Sequence, residues 1–195
     1  MTIRVAPVTG AGLAEALPAL ARLRIAVFRD YPYLYDGDAA YEADYLAHFA
    51  AADGAVIVVA RDGEDIVGAA TAAPLGAQDA AWQQPLAAAG FAIARTFYFG
   101  ESVLLAGYRG RGIGHAFFDH REAQARQCGA THTAFCSVLR PADHPDRPAG
   151  YRPLDAFWRS RGYAPLDGVT ASFDWKTVDS ITEEAHRLRY WTRAL

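Results

Sequence analysis

The chain has 195 residues and a formal net charge of −3, and its 52% hydrophobic and 21% charged residues are the proportions of a folded globular protein, which excludes a disordered or fibrous chain. The length fits one domain, or one domain with an insertion, and the weak negative charge gives no support to nucleic-acid binding. No apolar run reaches the roughly 18 residues of a membrane span, and the two cysteines, Cys128 and Cys136, cannot by themselves make a disulfide framework or a four-ligand zinc site.

The opening MTIRVAPVTG lacks the apolar core of a leader peptide, so a cytoplasmic protein with no membrane partner is expected. Ile3 to Val8 reads as a strand near a sheet edge, because Pro7 cannot donate to a ladder. Leu13 to Phe28 has helical spacing, with Pro18 predicting either a late start or a kink. Arg29 to Glu42 is rich in tyrosines and acids around Pro32 and Gly37. Such a loop suits a cationic amine through charge and cation–π contact, and reads equally as a capped helix entry with tyrosines packed on the domain. A second helix is expected over about Asp38 to Ala51. Val56 to Ala60 and Ile66 to Pro74 read as a hairpin turning at Asp62-Gly63. Residues 76–94 look like an insertion of loop and short helical pieces that covers a site or joins a homodimer, with Trp82 there for packing.

Phe97 to Leu105 is a buried strand by composition, and helical spacing begins at Ile113, runs through Ala116, Phe117 and His120 and fades near Gln124, with Gly129 as the C-terminal cap. Between them stands Arg109-Gly110-Arg111-Gly112-Ile113-Gly114. Glycines let the backbone approach a ligand, the helix start offers unpaired N–H groups and a positive dipole end, and the arginines add forked donors. Together they predict a pyrophosphate cradle. The nucleoside-triphosphate loop fails, because Ile113 and Gly114 stand where Lys and Ser/Thr are needed. The dinucleotide fingerprint fails as well, its third glycine falling at 114 instead of 115. Thr131 to Leu139 follows as a strand, then a loop over 140–153 with four prolines, a short helix Leu154 to Arg161, a strand Thr170 to Val178, and a tail whose Tyr190-Trp191 suggests a last strand on the sheet edge. Both cysteines lie in apolar context and read as buried free thiols.

The Arg109 to Gly114 turn, flanked by Tyr108, resembles the arginine/glutamine-x-x-glycine-x-glycine signature of the GCN5-related N-acetyltransferases. The Phe157-Trp158-Arg159-Ser160-Arg161-Gly162-Tyr163 segment extends the similarity, which covers roughly residues 3 to 178. The resemblance implies a single α/β (α+β) domain with a mixed, twisted sheet of about six or seven strands and helices on both faces. It also implies acetyl-CoA as co-substrate, with no metal, held at Val103, Leu104, Leu105, Arg109, Gly110, Arg111, Gly112, Ile113, Gly114 and His115. The acceptor is placed beside the tyrosine-rich loop, at Tyr31, Tyr33, Tyr35 and Asp36.

Acetyl transfer to an amine requires loss of a proton from the amine, a polarised thioester carbonyl and a leaving thiolate. Glu101, a carboxylate within an apolar strand, is the candidate base, since burial raises a carboxyl pKa; a structural hydrogen-bonding role is its alternative. The family often carries a tyrosine as thiolate acid where Trp158 stands, so Tyr151 is the candidate for that role here, with Cys136, Ser137 or solvent as alternatives. Tyr163 reads as core. His115 and His120 lie on different helix faces and predict no metal site. The expected activity is direct acetyl transfer from acetyl-CoA to a primary amine of a small molecule, with no covalent enzyme intermediate. A peptide or protein acceptor, or a non-catalytic acyl-CoA-binding module, are the alternatives.

Overall fold

A computed structural model describes residues 3–195. The strands are β1 (Arg4–Val8), β2 (Val56–Asp62), β3 (Asp65–Pro74), β4 (Thr96–Leu104), β5 (His132–Val138), β6 (Ala164–Lys176) and β7 (Glu183–Ala194). They form one sheet in the order β1-β2-β3-β4-β5-β7-β6. Five helices, α1 (Leu13–Phe28), α2 (Ala39–Ala50), α3 (Ala80–Ala88), α4 (Ile113–Gln127) and α5 (Asp155–Ser160), cover its two faces. Period-two alternation in β2 distributes the core. Val56, Val58 and Ala60 pack with Phe117 and Phe118 of α4, while Ile57 and Val59 pack with Leu20, Leu23 and Leu46 of α1 and α2. Small residues along β3, among them Ala69, Ala70, Ala72 and Ala73, allow helices to approach both faces.

Most sequence expectations hold, and the exceptions have local causes. α1 runs through Pro18, which lies on the exposed side of the helix, where the carbonyl it cannot bond is left to solvent. The C-terminal strand is not at an edge. β7 is 12 residues long and sits between β5 and β6, because Leu188, Tyr190 and Trp191 require cover on both sides; β6 is the edge. β6 begins at Ala164, before the expected Thr170, and its register shifts between Pro165 and Thr170. Cys128 is exposed, not buried, since it caps the end of α4.

Two irregularities build the site. All neighbouring strands are antiparallel except β4 and β5, which pair in parallel only at Thr96–His132, Phe97–Thr133 and Tyr98–Ala134. Beyond Tyr98 they part. β4 also carries a bulge: Gly100 and Glu101 together oppose Thr71, between the pairs Ala72–Phe99 and Ala70–Ser102. The Glu101 N–H is satisfied by the Thr71 hydroxyl at 3.2 Å. A Cβ on Gly100 would lie 2.4 Å from that hydroxyl, so the bulge requires glycine there.

Candidate active site

A groove of about 1110 Å³ lies where β4 and β5 part. At one end the Arg109 to Gly114 turn enters α4. Gly110 and Gly112 have φ of +74° and +80°, left-handed backbone that only glycine adopts readily. Gly112 caps α4 without a side-chain partner, and the first turn carries no acid, so its N–H groups and dipole face an anion freely. Arg109 lines the groove and its Nε donates to the Leu104 carbonyl at 3.3 Å. Arg111 instead folds back, donating to the Gly107 carbonyl at 2.9 Å beneath the Tyr108 ring. Tyr108 anchors the turn to the β2–β3 hairpin through Asp62 Oδ2, at 3.0 Å.

Of the other residues expected to hold the cofactor, Leu104, Gly110, Gly114 and His115 line the groove, with His115 edge-on to Phe157 at 4.9 Å. Val103 turns its side chain into the opposite core, and the Leu105 N–H bonds Val67 of β3, leaving these two only main-chain roles near a ligand. Phe117, Phe118 and Phe135 form an apolar floor. Left-handed glycines, free helix N–H groups, a forked cation and a long apolar channel fit a pyrophosphate carrying a pantetheine arm.

A second cavity, of about 540 Å³, opens between α1, α2, α3 and β6. Its walls include Tyr35, Tyr45, Trp82, Tyr98, Phe173 and Trp175. Trp82, from the 76–94 segment, stacks on Phe173 at 3.9 Å. Asp36 is at the rim but already bonds Lys176 at 2.9 Å and Arg29 at 3.2 Å, contacts that lower its pKa, Lys176 first. The four expected acceptor residues therefore separate. Tyr35 and Asp36 line this cavity and Tyr33 lines both, whereas Tyr31 lies only on the groove, edge-on to Tyr151 at 4.7 Å. The chain turns over residues 29–33 and Leu34 takes a φ of +54°, which puts Tyr31 on the other side. The loop is held by Arg140, which donates to the carbonyls of Pro32 (2.7 Å) and Tyr33 (3.0 Å).

The two cavities share Phe28, Tyr33, Gly100, Glu101 and Cys136. Glu101 is only 6% exposed, and its Oε2 accepts from Arg24 Nη1 at 2.5 Å. Arg24 Nε donates in turn to Glu42 Oε2, and the guanidinium lies over the Tyr45 ring at 4.6 Å. Burial pushes the Cys136 thiol pKa well up, with the Tyr98 and Tyr190 phenols opposing it, so the thiol stays protonated and inert as a nucleophile. Tyr151 lines the groove, and its pKa is raised by burial. Trp158 packs between Phe135 (5.1 Å) and Trp191 (5.0 Å). Tyr163 is core, accepting from the Thr133 hydroxyl at 2.9 Å and donating to Glu122 at 3.2 Å.

Sequence reasoning missed Arg24 and Glu42. Both had a signal: Arg24 shares the inner face of α1 with Leu20 and Phe28, and Glu42 shares that of α2 with Leu46 and Phe49. A charge in phase with an apolar stripe marks a buried polar partner. Among the described residues no cluster of side chains is arranged to hold a metal ion.

A glycine-rich turn of a shape suited to phosphate, at the mouth of a channel between parting parallel strands that meets a second cavity at a carboxylate, fits a transferase that brings an acyl-CoA to an acceptor. The comparisons agree. The acetyltransferase (GNAT) family pattern matches residues 20–148. Comparison with curated proteins gave no match. Among solved structures the chain is similar to the ribosomal-protein-alanine N-acetyltransferase of Brucella melitensis, with 18% identity, all of both chains covered and a TM-score of 0.62. It is similar to an N-acetyltransferase of Staphylococcus aureus Mu50, with 12% identity, coverage of 100% and 99%, and a TM-score of 0.63. It also resembles yncA of Salmonella typhimurium, solved with its cofactor acetyl-CoA, with 12% identity, coverage of 98% and 94%, and a TM-score of 0.61. At these identities the structures bear on the fold alone.

The chain belongs to the GNAT family of acetyltransferases, enzymes that use acetyl-CoA as co-substrate. No helix among the described residues is long and apolar enough to cross a membrane.

Proposed function

We propose that this enzyme transfers the acetyl group of acetyl-CoA directly to a primary amine of a small molecule, with Glu101 as the base. The observation carrying this reading is that the groove and the aromatic cavity meet at Glu101 and Cys136. A cavity of about 540 Å³ is within the usual range for a small ligand. Its aromatic walls favour a cation through their ring faces.

When bound, acetyl-CoA supplies an acetyl thioester at the junction. Gly110, Gly112 and the N–H groups opening α4 hold the pyrophosphate, with Arg109 beside them. Beyond Tyr98, β4 has no paired residue on its β5 side, so main-chain N–H groups there bind the arm and polarise the carbonyl, while the Leu104 carbonyl is held by Arg109 Nε at 3.3 Å. Glu101 Oε1, which has no hydrogen-bond partner, takes a proton from the acceptor ammonium. The freed nitrogen lone pair then attacks the carbonyl carbon, the carbon–sulfur bond breaks, and the nitrogen gives its second proton to solvent as the amide forms. Tyr151, kept protonated by burial, donates to the departing thiolate. The 76–94 segment serves as the outer wall of the acceptor cavity through Trp82. The exposed free thiol of Cys128 suits a reducing compartment, and a cytoplasmic location is part of this reading.

The test starts with calorimetric titration of acetyl-CoA, with ATP and NAD as controls, followed by a primary-amine screen. Glu101→Gln should keep acetyl-CoA affinity and lose about 10²–10⁴-fold in turnover. Unchanged turnover in that variant would remove Glu101 from the role and favour a solvent-deprotonated amine.

A further inference from the structure

The junction of the two cavities has different chemistry on the two faces of the sheet. Glu101 bonds Arg24 of α1, so its carboxyl lies on the acceptor face. On β5, Cys136 packs with Tyr98 and Tyr190 on that same face, whereas Phe135 belongs to the core under α4. Side chains alternate along a strand, so Ser137 shares the α4 face with Phe135, and it lines the groove. Three residues beyond the last β4–β5 pair, Tyr98–Ala134, stand Glu101 on one strand and Ser137 on the other. A carboxylate and a hydroxyl thus flank the opening, one on each face.

The hydroxyl is oriented. The Trp191 indole N–H, which can only donate, lies 3.0 Å from Ser137 Oγ. Trp191 is fully buried against Trp158, at 5.0 Å, and Phe135, at 6.2 Å, so it cannot turn away. Ser137 therefore accepts from Trp191, and its own proton, which has no acceptor among the described residues, is left for the groove. Arg189 stands directly opposite Ser137 in the antiparallel β5–β7 pair, and so on the same face. Its Nη2 bonds Asp155 at 2.9 Å, its guanidinium lies over the Trp191 ring at 5.0 Å, and its Nε is buried without a partner. A free hydroxyl proton and a cation with an unused N–H border the groove on the side from which the pantetheine arm comes.

We infer that Ser137 and Arg189 receive the departing sulfur. As the amine nitrogen attacks the carbonyl carbon from the Glu101 side, the electron pair of the carbon–sulfur bond moves onto sulfur on the α4 side. The Ser137 hydroxyl donates a hydrogen bond to that thiolate, the Arg189 guanidinium balances its charge, and Tyr151 returns the proton. Trp191 is a positioning residue, since it occupies a Ser137 lone pair and leaves the hydroxyl proton facing the groove. The division sets a carboxylate where a proton is removed, and a donor with a cation where negative charge develops. Around the junction also stand Glu101 of β4, Arg121 of α4, Asp155 of α5, Cys136 of β5 and the loop residues Tyr33 and Tyr151, all unchanged in the variants compared below. This inference rests on the proposed direct transfer, but its test uses CoA itself and needs no acceptor.

CoA bound to the full-length protein is titrated by the ultraviolet absorbance of its thiolate, with the desulfo-CoA complex as blank. The thiol should titrate lower in the wild-type complex than in free CoA. Ser137→Ala and Arg189→Gln should each raise the midpoint by on the order of one pH unit, because donors and cations that hold a thiolate lower its pKa. Trp191→Phe, which lets the hydroxyl turn, should raise it by less, and Ser137→Thr should keep it. Ser102 also lines the groove but has no orienting partner among the described residues, and Ser102→Ala should leave the midpoint unchanged. Acetyl-CoA affinity, set at the Arg109 to Gly114 turn, should hold in Ser137→Ala. Should Arg189→Gln not fold, Ser137→Ala and Ser137→Thr decide. A wild-type midpoint equal to that of free CoA, or one unmoved by Ser137→Ala, overturns the inference. Shifted midpoints with no amine acetylated in the screen would keep the sulfur site and discard the small-molecule acceptor. Unmoved midpoints with active transfer would do the reverse.

Discussion

Replacing Gly100 with alanine should damage the bulge that aims Glu101. The new Cβ would stand 2.4 Å from Thr71 Oγ1, far inside contact distance, and Thr71 is 1% exposed with little room to yield. The hydroxyl must rotate away, which strips the buried Glu101 N–H of its 3.2 Å acceptor. An unsatisfied buried donor costs about 1–3 kcal/mol and overpacking about the same again, so Gly100→Ala should destabilise by roughly 2–6 kcal/mol. For a chain of this size, that lowers the melting temperature by roughly 5–15 °C. Thermal unfolding by circular dichroism measures it. Thr71→Ala removes the clashing atom, leaving no contact tighter than the former Thr71 Cβ at 3.7 Å, but restores no acceptor. The double variant should therefore be no less stable than Thr71→Ala alone. Turnover should fall in Gly100→Ala while acetyl-CoA affinity, set at the remote turn, holds. A Gly100→Ala protein as stable as wild type, or a double variant whose losses simply add, would refute the reasoning.

Arg109→Ala should weaken acetyl-CoA binding about tenfold or more by calorimetry, as loss of a charge-assisted phosphate contact implies, and Arg111→Ala by less, because Arg111 is engaged with Gly107 and Tyr108. Glu122→Gln should cost about 3 kcal/mol in urea unfolding, since it removes the negative charge that Arg161 and Arg193 share at 3.1 and 2.9 Å. His186 is held neutral, its pKa lowered from 6.5 by burial and then by Arg140, whose Nη1 lies 3.0 Å from Nδ1. The unfolded chain therefore binds more protons at this residue, and its contribution to stability is present above pH 6.5 and lost as pH falls toward the lower folded value. Melting temperature should drop across that window in wild type and drop less in His186→Asn, measured by calorimetry from pH 7 downward.

The placement of these groups shows where sequence reading succeeds. The Arg109 to Gly114 turn was legible because its elements are local. Strand, glycine turn and helix start are neighbours in the chain, and left-handed backbone at Gly110 and Gly112 is a requirement the sequence itself expresses. The same holds for the β2–β3 hairpin at Gly63, and for α2, whose N-cap Asp38 bonds the N–H groups of Ala40 and Tyr41. Tyr163 as core and Glu101 as a buried carboxylate also followed from local context.

Long-range pairing decided the rest. β7 lies inside the sheet because its apolar residues find cover only between β5 and β6, a fact about partners far away in sequence. Tyr31 faces the groove and Tyr35 the second cavity, though they are close in the chain, because Arg140 and Trp175 grip the carbonyls between them. Arg24 meets Glu101 across 77 positions, and Glu42 across another 18, through the packing of α1 against α2 and the sheet. By itself, then, the sequence determined the left-handed glycine turn that enters α4, the class of fold and the buried carboxylate, because short-range sterics and periodicity act within a few residues. Tertiary structure alone decided which groups surround that carboxylate and where the two cavities meet, because desolvation and Coulomb interactions depend on distances in space that the chain's local preferences do not set.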